Sequence, residues 1–181
     1  MAAGQTLFGE NRVQEALSKI GETGPGAHWH LVGRLQTNKA KHAAGVFELI
    51  HAVDGRALAV ELDRRAAAKG TKQAVLVQAN LAGEPTKAGA GEGAVLPLAE
   101  EVSKLTHLEL CGLMIIPPQE ENREKTRLWF RRLRELRDLA ASRLARPLPE
   151  LSMGMTDDFE VAIEEGATLV RVGRAIFGER A

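Results

Sequence analysis

The chain has 181 residues, enough for one domain (residues 1–181) with a substantial core, and its 24 basic side chains balance 24 acidic ones. That neutrality removes the electrostatic case for nucleic acid or an anionic membrane surface as a partner. A single cysteine, no apolar run of membrane-spanning length and no charged leader before an apolar stretch lead to the expectation of a soluble, cytoplasmic protein without disulfides.

Short apolar runs alternate with helix-prone ones along the chain. MAAGQTLFGENRVQEAL passes from what reads as the tail of a helix, Met1 to Gly4, through a short strand at Leu7 and Phe8 into a helix. HWHLVGR (His28 to Arg34) is a strand, followed by the polar, helix-prone LQTNKAKHAAG. FELIHAVD (Phe47 to Asp54) is a strand, and GRALAVELDRRAAAKG a helix stopped at Gly70. QAVLVQAN (Gln73 to Asn80) is a strand, and the glycine-rich LAGEPTKAGAGEGAV a surface loop. A helix to about Leu105 leads into the strand LELCGLMII, stopped by Pro117 and Pro118; Cys111 within it reads as a buried small side chain. Asn122 to Leu144 is a long charged helix with Trp129, Phe130, Leu133 and Leu136 on its buried stripe. PELSMG is a strand and Asp157 to Glu165 a helix, where Asp157 and Glu160 have capping-box-like spacing and so a structural role.

The last strand and turn, LVRVGRAIF, put Leu169, Arg171 and Gly173 on one face. An arginine within an apolar strand needs an anion or an acceptor. Gly173 and Arg174 open the helical run AIFGER, and Ser152 and Gly154 close the preceding strand. These two junctions read either as a phosphate cradle or as corners whose arginines pair with nearby carboxylates.

Seven strand–helix units imply parallel strands, in an open doubly wound sheet or in a (β/α)8 barrel one strand short. No GxGxxG follows the first strand, and Asn11, Gly33 with Arg34, Asp54, Asn80, Ser152 and Arg171 all fall at strand C-terminal ends. A barrel gathers those ends into one mouth, so a TIM-type barrel lacking its first strand is the expected fold. A metal site at His28, His30 and His51 lacks cysteine or carboxylate partners at ligand spacing, so no metal is expected.

Six blocks, FGENRVQEAL, HWHLVGRLQTNKAK, LIHAVD, GLMIIPP, LSMGMTDDFEVAIEEG and VRVGRAIFG, resemble in order and spacing the pyridoxal phosphate homeostasis proteins, single-domain relatives of the alanine racemase N-terminal barrel. The resemblance covers essentially the whole chain. It implies a cytosolic barrel that holds pyridoxal 5′-phosphate (PLP) at its C-terminal mouth and buffers or delivers it, with apo-PLP enzymes as recipients and without robust turnover. By motif, Ser152 matches the serine that holds the phosphate. Gly173 and Arg174 match the backbone N–H groups that complete the cradle, and Arg171 the arginine beside the pyridine nitrogen. Asn11, His30 and Met114 fall in blocks lining the ring side. No catalytic residue is implied.

The resemblance also marks departures. The family's Schiff-base lysine lies on a first strand upstream of the FGEN block, so the expectation is either a chain begun one βα unit late or a short natural form. A barrel short of a strand invites self-association or strand exchange, whereas the full-length form is expected to be a monomer. Lys39, Lys41 and Lys87 are conceivable substitutes for the lysine. Ile115 stands where the family usually has a threonine near the phosphate. Two other readings are a PLP-dependent racemase, disfavoured because the chain has no tyrosine, and a non-binding scaffold docking through the Asn122–Leu144 helix.

Overall fold

The computed structural model describes residues 3–120 and 122–178. Seven strands form one parallel sheet: β1 (Leu7–Glu10), β2 (His28–Leu31), β3 (Leu49–Val53), β4 (Gln73–Asn80), then, past a two-residue β5 (Ala90–Gly91) attached to β4, β6 (Leu108–Ile115), β7 (Glu150–Met155) and β8 (Leu169–Arg171). Each main strand pairs with its neighbour in sequence, so β1 and β8 are the ends of the order. The sheet is rolled rather than flat. His51 on β3 bonds directly to Ser152 on β7, although β4 and β6 stand between those strands in the sheet, which only strong curvature permits. This is the barrel expected from the alternating elements.

The helices α1 (Val13–Thr23), α2 (Ala40–Ala43), α3 (Arg56–Ala68), α4 (Glu92–Ser103), α5 (Arg123–Leu144), α6 (Phe159–Glu164) and α7 (Arg174–Phe177) follow the strands in turn. The main apolar core lies between sheet and helices: Leu31, Ile50, Val75, Val77, Leu113 and Leu151 from the strands meet Leu62, Val95, Phe130 and Leu133 from the helices. Burial of each such side chain contributes about 1.5–3 kcal/mol. A second, small apolar cluster of Leu49, Leu76 and Met114 fills the inside of the roll. Among the described residues no helix is long and apolar enough to cross a membrane.

Strict alternation fails at three places, each a register shift. Between Val75 and Leu76 of β4 the partner strand advances from Leu110 to Gly112, so Cys111 is an extra residue in β6. This bulge lets Leu110 and Leu113 share the outer face although they are three apart. Gly112 lies so close to β7 that a Cβ there would stand 1.8 Å from the Glu150 carbonyl oxygen. Similar shifts fall between Ile50 and Val53 of β3 and between Ser152 and Met155 of β7.

Several local expectations change. The glycine-rich segment after β4 is the expected surface loop but is tied down: the Asn80 amide donates to the Glu84 (2.8 Å) and Lys87 (3.2 Å) carbonyls, and β5 pairs with the end of β4. Asp157 and Glu160 form no capping box, because α6 begins at Phe159; they pair instead with Arg174 and with Arg123. Ile115 turns its side chain outward into the helix-facing core, so a hydroxyl at that position would not reach the mouth. Of the helix expected at the start, Met1 and Ala2 lie outside the described residues, as do Glu179 and Arg180 of AIFGER.

Candidate functional site

Inward-facing residues of β2, β3, β7 and β8 carry a line of polar side chains through the upper interior. His30 Nδ1 lies 3.0 Å from His51 Nε2, and His51 Nδ1 lies 2.8 Å from Ser152 Oγ. Arg171 donates from Nη1 to the same Ser152 Oγ at 2.6 Å and from Nη2 to the Ile115 carbonyl at 2.8 Å. Ser152 is fully buried and His51 nearly so. Met114 lies beside Ser152 in the register of β6 with β7 and closes the floor with Leu49 and Leu76. The bulges in β3 and β7 adjoin His51 and Ser152, the two residues whose hydrogen bond crosses the roll.

The electrostatics follow from burial. Desolvation pulls Arg171 down to about 10, with Asp158 acting the other way, so it keeps its proton at neutral pH. Burial holds His51 well below the ordinary histidine value of 6.5, and His30 and Arg171 add to the effect. His30 is lowered by burial too, against the pull of Glu48 and Glu150. Both imidazoles are therefore neutral at pH 7.

Above this layer stands the rim. Thr156, just past β7, accepts at Oγ1 from the Ala175 amide at 3.4 Å, which ties the β7 loop to the first turn of α7. Gly173 has open space where a Cβ would stand, whereas Gly154, at φ 92°, would drive a Cβ to 2.6 Å from Ala162. Arg174 is exposed and its guanidinium pairs with Asp157. Across the mouth, a cavity of about 240 Å³ is lined by Val32, Arg34, Gln78, Lys87 and Ile116 among others. Lys87 is held by Glu84 (2.8 Å) and the Pro117 carbonyl (3.0 Å). Arg34 approaches Asp54, a carboxyl that burial raises.

Of the sequence-derived candidates, Ser152, Arg171, His30 and Met114 meet in one interior layer. Gly173 and Arg174 stand at the rim beyond it. Asn11 is exposed at the other end of the strand order, its backbone packed where Gly33 has no Cβ; a methyl there would lie 2.2 Å from the Asn11 carbonyl oxygen. Ser152 is thus below the rim, with its hydroxyl taken up by His51 and Arg171, and beside Gly173 and Arg174 it is Thr156 that places a hydroxyl at the start of α7. Thr156 and the cross-barrel reach of His51 were missed from sequence. The run MTDD directly before a helix was the available signal for Thr156.

A family model described as alanine racemase, N-terminal domain, matches residues 1–181. A pyridoxal phosphate homeostasis protein of Aquifex aeolicus is 48% identical over 178 residues, spanning 98% of this chain and 78% of that relative. The protein of the same name from Escherichia coli is 38% identical over 187 residues, spanning 98% and 77%. Among solved structures, PipY of Synechococcus elongatus with PLP bound superposes with a TM-score of 0.90 at 39% identity, covering 98% of this chain and 84% of that one. An alanine racemase of Clostridium difficile, at 14% identity and a TM-score of 0.79 over 99% of this chain and 49% of its own, shares the fold.

Proposed function

The chain belongs to the alanine racemase N-terminal domain family, and from that premise we propose that it binds PLP at the C-terminal mouth of its barrel and serves the homeostasis of that cofactor. The observation that carries this reading is Arg171, anchored on Ser152 and the Ile115 carbonyl with further N–H groups left to offer a ring nitrogen. The likeness to PipY, solved with PLP bound, supports it.

The donor set fits such a group. Gly173, with room for close approach, the Arg174 backbone and the Thr156 hydroxyl would hold the phosphate. Ser152, deeper and with its hydroxyl already engaged by two partners, does not. His30, Met114 and Asn11 are the residues that would meet the ring. PLP, when bound, supplies an aldehyde reactive toward amines and an electron-withdrawing ring. Arg171 donates a hydrogen bond but keeps its proton, so it does not sustain a pyridinium as a carboxylic acid would. That choice suits storage and hand-over to apo-PLP enzymes in the cytoplasm better than turnover.

Titrating the 181-residue chain with PLP, followed by absorbance, tests the reading. Binding is expected, with a loss of about tenfold or more in Arg171→Met and of about fivefold in Thr156→Ala, one hydrogen bond's worth. Unchanged affinity in both variants would remove the site assignment. Racemisation of alanine by the loaded protein would remove the non-catalytic part.

A further inference from the structure

Arginine has no acceptor, and this fixes the direction of every hydrogen bond in the interior line. Arg171 must donate to Ser152 Oγ. The Ser152 hydroxyl then has its own hydrogen to place in a fully buried position, and His51 Nδ1, at 2.8 Å, is the acceptor within reach. If His51 instead donated from Nδ1, the hydroxyl hydrogen would be left without a partner in the interior, a costly state. With Nδ1 accepting, neutral His51 carries its proton on Nε2 and donates it to His30 Nδ1, at 3.0 Å. His30 in turn keeps its proton on Nε2.

We propose that His51 and Ser152 are positioning residues for Arg171, joined to it in a one-way hydrogen-bond chain that runs from Arg171 through Ser152 and His51 to His30 and fixes the guanidinium at the mouth. The chain pins Arg171 from one side while the Ile115 carbonyl pins it from the other, so two separate strands, β6 and β7, set its plane. The groups facing His51 are His30 from β2, Ser152 from β7 and the Arg171 cation from β8. Glu48, Glu150 and His28 act on His30 at the other end. A proton added to His51 would meet the Arg171 charge and turn its Nδ1 from acceptor into donor, so the line holds only while His51 is neutral.

The consequence for the cofactor rests on the PLP reading given above, but the chain itself is tested without PLP. In the full chain labelled with 15N-histidine, at pH 7.5, two-bond N–H couplings should show His51 protonated on Nε2 and bare on Nδ1. The reverse tautomer, or an imidazolium, would overturn the proposal. With PLP, Ser152→Ala and His51→Leu are each expected to weaken binding about tenfold. His51→Asn, whose amide oxygen can stand in for Nδ1, should stay within about threefold of the parent. In an Arg171→Met background neither Ser152→Ala nor His51→Leu should weaken binding further, because a positioning residue acts only through its client. Independent, additive losses would overturn the positioning role. Should Arg171→Met itself leave PLP affinity unchanged, the PLP role of Arg171 falls, and the hydrogen-bond chain is decided by the histidine tautomers alone.

Discussion

Two buried charges in this molecule are handled in opposite ways. On the outside of the barrel Glu165, at the end of α6, is 4% exposed and faces three arginines of α5: Arg127 (3.3 Å), Arg131 (3.1 Å) and Arg134 (3.0 Å). On the inside, no carboxylate among the described residues bonds to Arg171; a hydroxyl and a carbonyl hold it. The first arrangement neutralises charge and fastens one helix to another. The second leaves a cation underneutralised at the mouth, which costs stability but keeps its attraction for an incoming acceptor.

Reversing the outer charge is expected to have the largest effect. Glu165→Lys sets a cation among three arginines and should lower Tm by about 5–10 °C in calorimetry, since α5 and α6 would be driven apart. Acidity should separate the two regions next. The depressed His51 and His30 take up protons more readily unfolded than folded, so their contribution is full above 6.5 and is lost as pH falls below that value, at up to about 1.4 kcal/mol per pH unit for each proton. Glu165 is lowered, chiefly by its bond with Arg131, so its contribution survives down to 4.5 and disappears only as pH falls through its folded value. Urea titrations from pH 8 to 4 should therefore show a first loss of stability beginning near neutrality, reduced in His51→Asn to the share of His30. A third, smaller effect is expected of Arg171→Met: Tm within about 3 °C of the parent, because removing an unneutralised buried charge offsets the lost hydrogen bonds. A large drop would mean that the interior cation stabilises the fold after all. Smallest of all, raising NaCl from about 0.1 to 1 M should lower Tm by about 1–2 °C through the solvent-facing arms of the α5–α6 cluster and should not move the His51 tautomer.

Much of this architecture was legible in the sequence. Each main strand falls within or beside the run that was read for it, because a sheet covered by helices needs one continuous outer apolar face, and period-2 patterns report that face directly. Arg171 stood out for the same reason, as a charge set among Leu169, Val170 and Val172. What the pattern could not report was depth. Alternation assigns Ser152 to the inner face but not to a layer, so the strand end reads as a rim position, whereas the roll of the sheet puts Ser152 in the interior layer with Arg171, below Gly173 and Arg174. Bulges hid as well: the extra residue at Cys111 and those in β3 and β7 change which side chains face inward without changing composition. The Asp157–Glu160 spacing fits a cap, yet α6 begins only at Phe159, and the two carboxylates pair with Arg174 and Arg123 instead. His51 looked like one histidine of three, since nothing near it in sequence announces a partner 101 positions further on.

That separation bears on how the chain reaches its shape. Every pairing among the seven main strands joins sequence neighbours, so the sheet grows by short loop closures, each costing little entropy and each able to start from the last. The His51–Ser152 bond is of another kind: it closes a circuit of 101 residues and becomes available only after the intervening units are in place. The polar line is thus a latch that reports completion of the roll, and in pulse-labelled refolding the inner face of β3 is expected to gain protection after the β4–β6 pair has already done so.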